Sequence, residues 1–168
     1  NSVLSFDPLL GWNIKNYAED QVVHIISPDY VKGNSNPDNS YEMIPQKGVL
    51  ITMKVHDRID MHFNLQELQE WMKTQGKWDK ISETKLGGIP TIHMFGKYKY
   101  PGVEDYSLAV QDDWYMSDEV NSTHFFDARV TYAGPPTEAA ALKTKYQSQI
   151  DQFLKSVKFE VYSLGRNE

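Results

Sequence analysis

Apolar and polar positions alternate most regularly over 49–55. Val49, Ile51, Met53 and Val55 fall on one side and Thr52 and Lys54 on the other, the period-two pattern of a strand with one buried face. Near the C-terminus the period lengthens. Ala139, Leu142, Tyr146, Ile150, Phe153 and Val157 recur at spacings of three and four, while Lys143, Lys145, Gln147, Asp151 and Lys155 point elsewhere. This predicts an amphipathic helix over 137–157 whose apolar stripe must cover a sheet. A second helix is predicted over about 65–75, where Leu65, Leu68, Trp71 and Met72 have helical spacing. Asn64 stands at its N-cap with Glu67 three residues on, and Gly76 takes the left-handed position just past its end.

Further strands follow from shorter runs. Residues 11–17 put Trp12 and Ile14 on one side, and 22–26 follow across the Ala18-Glu19-Asp20 link as the second arm of a hairpin that Ser27-Pro28 ends. Residues 81–86 are polar enough for a sheet edge, and after Gly87-Gly88 the sheet resumes over 89–95 with Pro90 at the strand's beginning. Strands over 106–111 and 124–132 follow the Pro101-Gly102 turn and the Ser117-Asp118-Glu119 link. Between 29 and 47 the run Gly33-Asn34-Ser35-Asn36-Pro37-Asp38-Asn39-Ser40 predicts an irregular, mobile surface loop. Strands joined by short turns, with two amphipathic helices, predict an α+β fold. It is an α/β/α sandwich with a central antiparallel sheet of about six to seven strands, formed by 1–168 as a single domain.

Composition narrows the classes of function. The chain has 168 residues, 40% of them apolar and 12% aromatic, which is globular rather than disordered. No apolar run approaches the roughly 20 residues that span a bilayer, so no transmembrane segment is expected. A formal charge of -6 repels phosphate backbones, and Arg58, Arg129 and Arg166 are scattered, so nucleic acid is not an expected partner. The absence of Cys removes thiol catalysis, disulfides and thiolate metal sites. The chain starts Asn1-Ser2-Val3 with neither Met nor a basic-then-apolar leader, which predicts that an upstream segment was removed. An export signal and a trimmed boundary both fit.

Three groups of residues carry candidate chemistry. His56, Asp57, Asp60 and His62 cluster past the end of the 49–55 strand, and imidazoles with carboxylates suit Zn²⁺. The spacing matches no known ligand pattern, and a solvated strand-to-helix connection accounts for the same residues. Asp112-Asp113 with Asp118-Glu119 offer clustered oxygens to Ca²⁺, without the EF-hand pattern. In the hairpin arm of Lys97, Tyr98, Lys99 and Tyr100, rigid rings with polar tips alternate with cations, a mixture that protein interfaces favour and that also stabilises hairpins. His24, His93 and His124 lie within strands, where a hydrogen-bonded structural role is expected. No Gly-x-Ser-x-Gly elbow, phosphate loop or His-Glu-x-x-His helix occurs, so no catalytic residue is assigned and no cofactor is expected.

Three stretches give the chain a family likeness. They are Gly11-Trp12-Asn13-Ile14, then Leu86-Gly87-Gly88-Ile89-Pro90-Thr91, and Val130-Thr131-Tyr132-Ala133-Gly134 leading into a helix that finishes Phe153-Leu154-Lys155-Ser156-Val157-Lys158-Phe159. In these the chain resembles the PsbP-like family over 11–159. The resemblance implies an α/β/α sandwich around an antiparallel sheet. It also implies an accessory, non-catalytic role. Plant and cyanobacterial members are lumenal accessory proteins of photosystem II, a eukaryotic relative binds the GTPase Ran, and many bacterial members are exported proteins or lipoproteins. The long loop over 29–47 departs from that family, and no residue set carries over the photosystem or Ran function. The expectation is therefore a non-enzymatic, extracytoplasmic accessory or protein-binding domain, with a lipid anchor upstream of Asn1 among the forms the family takes. The alternatives are a small-ligand or metal-binding domain, a hydrolase whose residues converge only in three dimensions, and a cytoplasmic location.

Overall fold

A computed structural model describes residues 2–35, 43–57, 64–76, 78–98, 109–117 and 124–161. In chain order the elements are β1 (Ser2–Ser5), β2 (Asn13–Tyr17), β3 (Val22–Ile26), β4 (Val31–Ser35), β5 (Met43–Asp57) and α1 (Leu65–Thr74). They continue with β6 (Lys80–Leu86), β7 (Ile89–Tyr98), β8 (Ala109–Ser117), β9 (His124–Gly134), α2 (Pro136–Ser156) and β10 (Lys158–Val161). An eight-stranded sheet runs β2-β3-β5-β9-β8-β7-β6, with β4 paired to β5 off that path, while β1 and β10 form a separate two-stranded sheet. Every pairing is antiparallel. The fold is an α+β sandwich, as the sequence predicts.

The helices occupy opposite faces because side chains alternate along each strand. On one face Val49, Ile51 and Met53 of β5 and Phe126, Ala128, Val130 and Tyr132 of β9 share a core with Leu142, Tyr146, Ile150 and Phe153 of α2. On the other, Ile92 and Met94 of β7 meet Leu68 and Met72 of α1, with Trp114 and Met116 of β8 packed alongside. The full predicted stripe of α2, from Ala139 to Val157, is buried. At α1 the expected capping box is present: the Glu67 N–H donates to Asn64 Oδ1 (2.9 Å) and the Asn64 N–H donates to Glu67 Oε2 (3.4 Å). Asn64→Ala is expected to cost about 1 kcal/mol, read as a lowered urea midpoint with an unchanged slope.

Several expectations need correction. The segment 29–47 is not one irregular loop, since it contains β4 and the first residues of β5, which pair through irregular register at Val31, Lys32 and Ser35. Tertiary pairing overrides the turn preference of Gly33, Asn34 and Ser35 there. Gly48 allows the Tyr30 backbone to pass close to β5: its φ is +98°, and a Cβ would sit 2.6 Å from the Tyr30 Cα. Ile14 stays 42% exposed because β2 lies at the sheet edge, and Trp71 stays 43% exposed on the outer flank of α1. Of the strand expected over 106–111, 106–108 lie outside the described residues and the described strand extends from Ala109 to Ser117, and the pairing of β1 with β10 was not predicted.

Candidate functional site

Of the expected metal group, only His56 has a described side chain. His56 ends on the face away from α2, where its Nε2 lies 2.9 Å from Asp127 Oδ2 and its ring stacks on Phe125. Asp57 pairs its backbone with His124, and Asp60 and His62 lie outside the described residues, as do Asp118 and Glu119. No three His, Asp or Glu side chains converge as a metal site among the described residues. Lys97 and Tyr98 lie at the end of β7, opposite Gln111 and Val110. Their side chains, together with Lys99 and Tyr100 entirely, are outside the described set.

Asp113, one of the carboxylates that the sequence offers to Ca²⁺, is 4% exposed and held beneath α2. His93 Nε2 lies 2.8 Å from its Oδ1, and Lys143 Nζ donates to its Oδ2 at 2.7 Å. The register explains the meeting: Tyr115 stands opposite His93 and Asp113 opposite Phe95, so all four face α2. His93 stacks on Tyr115, and the Lys143 ammonium lies over the Phe95 ring at 4.3 Å. Burial pushes the Asp113 carboxyl up, but the hydrogen bonds and charges of His93 and Lys143 outweigh it and hold the group below the ordinary carboxylate range. Burial, with the Asp113 and Asp151 charges adding to it, pushes the Tyr115 and Tyr132 hydroxyls far above theirs. Both phenols therefore stay neutral. With one Asp113 oxygen on the Lys143 ammonium and the other on the His93 ring, the cluster is a clamp between sheet and helix. Sequence periodicity misses it because Lys143 sits beside the apolar stripe of α2, and only the length of its side chain brings its ammonium back to the sheet.

A concave site lies at the opposite end of the sheet. A groove of about 400 Å³ is lined by Asn13 and Lys15 of β2, Ile26 of β3, the Ser27-Pro28 turn, Tyr30, and Lys32 of β4. The turn is rigidly held. The Val49 N–H donates to Ser27 Oγ (2.9 Å), Ser27 Oγ donates to Asp29 Oδ1 (2.7 Å), and Lys145 of α2 donates to Asp29 Oδ2 (2.9 Å). Lys15 and Lys32 make no ion pair among the described residues, unlike Lys47, Lys73, Lys143 and Lys145. Near the groove, the Tyr30 hydroxyl and His24 Nδ1 are buried without a hydrogen-bond partner among the described residues. Burial, and then the Lys15 charge, lower the His24 pKa and keep its ring neutral. Nothing in the sequence isolates these groove residues. Lys15 reads as a polar position of the first strand, and Lys32 as part of a loop.

No family profile and no curated protein matches the chain by sequence. A search of solved structures does find neighbours. One is the crystal structure of LpqN, a Mycobacterium tuberculosis protein involved in cell envelope biogenesis. It is 9% identical, with a TM-score of 0.57, over 96% of this chain and 85% of LpqN. The likeness is one of fold. No described helix is long and apolar enough to cross a membrane.

Proposed function

We propose that this chain is a non-enzymatic, extracytoplasmic accessory domain that recognises a protein partner through the groove beside β2. The observation that carries the proposal is the pair of lysines, Lys15 and Lys32, that make no ion pair among the described residues and line a concave surface of a chain whose formal charge is -6. By contrast, the buried Asp113 and Asp127 are each met by a cationic or imidazole partner, which favours structural over catalytic roles for them. An extracytoplasmic setting is supported by the envelope role named for LpqN and by the exported proteins and lipoproteins of the PsbP-like family that the sequence resembles. A second occupant is suggested by the groove's volume of about 400 Å³, which lies in the range of clefts for small ligands.

Cross-linked co-purification from native cells tests the proposal, with Lys15→Glu/Lys32→Glu and Tyr98→Ala/Tyr100→Ala variants in parallel. The lysine variant is expected to lose the partner while keeping its melting temperature, because both cations lie on the surface. Equal retention by the lysine variant removes the groove as the contact surface, and loss only in the tyrosine variant moves that surface to the hairpin arm.

A further inference from the structure

The two end strands of the large sheet differ in how they are protected. β6 carries Lys80, Glu83 and Lys85, charges of both signs that discourage pairing with another chain. β2, with the sequence Asn-Ile-Lys-Asn-Tyr, has Lys15 as its single charge, and 13–16 are exposed. Among the described residues β2 pairs with β3 alone, so half of the backbone N–H and C=O groups of 13–16 face away from the sheet. Its two sides are chemically distinct. Asn13 and Lys15 line the groove, across which stands Lys32, while Ile14 points to the other side of the strand. Leu10, 93% exposed, precedes the strand.

We infer that β2 captures an extended acidic segment of the partner as an added strand, with alternate carboxylates entering the groove toward Lys15 and Lys32 and intervening apolar residues covering Ile14. Main-chain hydrogen bonds supply the pairing, and the alternate side chains supply the selection. Resting on the binding role proposed above, this specifies the partner's chemistry: an extended peptide with acidic residues at every second position. A second copy of this chain is disfavoured because its own edge offers Lys15 to Lys15.

The probe is a fluorescein-labelled peptide of about nine residues, long enough to span β2, that alternates aspartate with valine. Anisotropy should show saturable binding that weakens roughly tenfold with Lys15→Glu/Lys32→Glu, as expected when close charge pairs are reversed. It should weaken comparably when alternate peptide amides are N-methylated or when lysine replaces aspartate. Hydrogen exchange should slow in β2 and not in β6. No binding at millimolar peptide, undiminished binding of the N-methylated form, protection at β6, or a dimer that depends on Lys15 would each overturn strand addition. If the peptide fails while the lysine variant still loses its co-purified partner, strand addition falls and the groove remains the contact surface. If the lysine variant also retains that partner, both fall.

Discussion

Phe153→Asp should leave the purified chain without a cooperative thermal transition. The ring is 1% exposed and meets Phe6 edge-to-face at a centroid distance of 5.2 Å, within the core that α2 shares with β5 and β9. Removing a buried phenyl ring costs about 3–5 kcal/mol, and a buried carboxylate with no cation adds several more. The sum reaches the whole stability of a typical domain, about 5–15 kcal/mol. Near-ultraviolet circular dichroism should therefore lose its aromatic signal at 25 °C. Gln152→Asp, one residue away on the exposed face of the same helix, should remain folded. A folded Phe153→Asp protein would mean that this stripe covers a partner rather than the sheet.

Asp113→Ala is expected to cost about 3 kcal/mol, because it strands the Lys143 ammonium and the His93 ring beneath α2. For a chain of this size that is a melting-temperature loss of about 10 °C. Asp113→Asn keeps the shape and exposes the ionic part. Because the carboxyl is held below its unfolded pKa, its ionisation stabilises the fold fully above about pH 4 and loses that effect as pH falls through the folded value. The melting temperature of the wild type should consequently fall in acid more steeply than that of Asp113→Asn. Parallel curves for the two proteins would show that the clamp is not electrostatic.

The elements legible in the sequence are those whose burial repeats with a single period. The α2 stripe and the Val49, Ile51, Met53 alternation each face one continuous core, so pattern and structure agree. Leu50 shows the limit: it lies on the opposite face of β5 and is still only 4% exposed, which a two-sided alternation of apolar and polar positions does not anticipate. β4 escapes notice because Gly33, Asn34 and Ser35 carry turn preferences that pairing with β5 overrides. The His93–Asp113–Lys143 clamp draws on three elements, and local spacing cannot join residues that only sheet register and a long side chain bring together. The groove depends likewise on the close approach of Tyr30 to β5 that Gly48 permits.

The order of the sheet has a kinetic consequence. β5, near the middle of the strand order, pairs on one side with β3 and on the other with β9, which comes from the opposite half of the chain. Until β9 and α2 have been synthesised, Val49, Ile51 and Met53 have no cover, and the N-terminal strands can form hairpins but no closed core. Non-local pairing of this kind folds slowly because a long loop must close before its contacts stabilise it. A chain emerging from the ribosome would thus remain open until β9 and α2 had emerged, and would then close in one late, cooperative step.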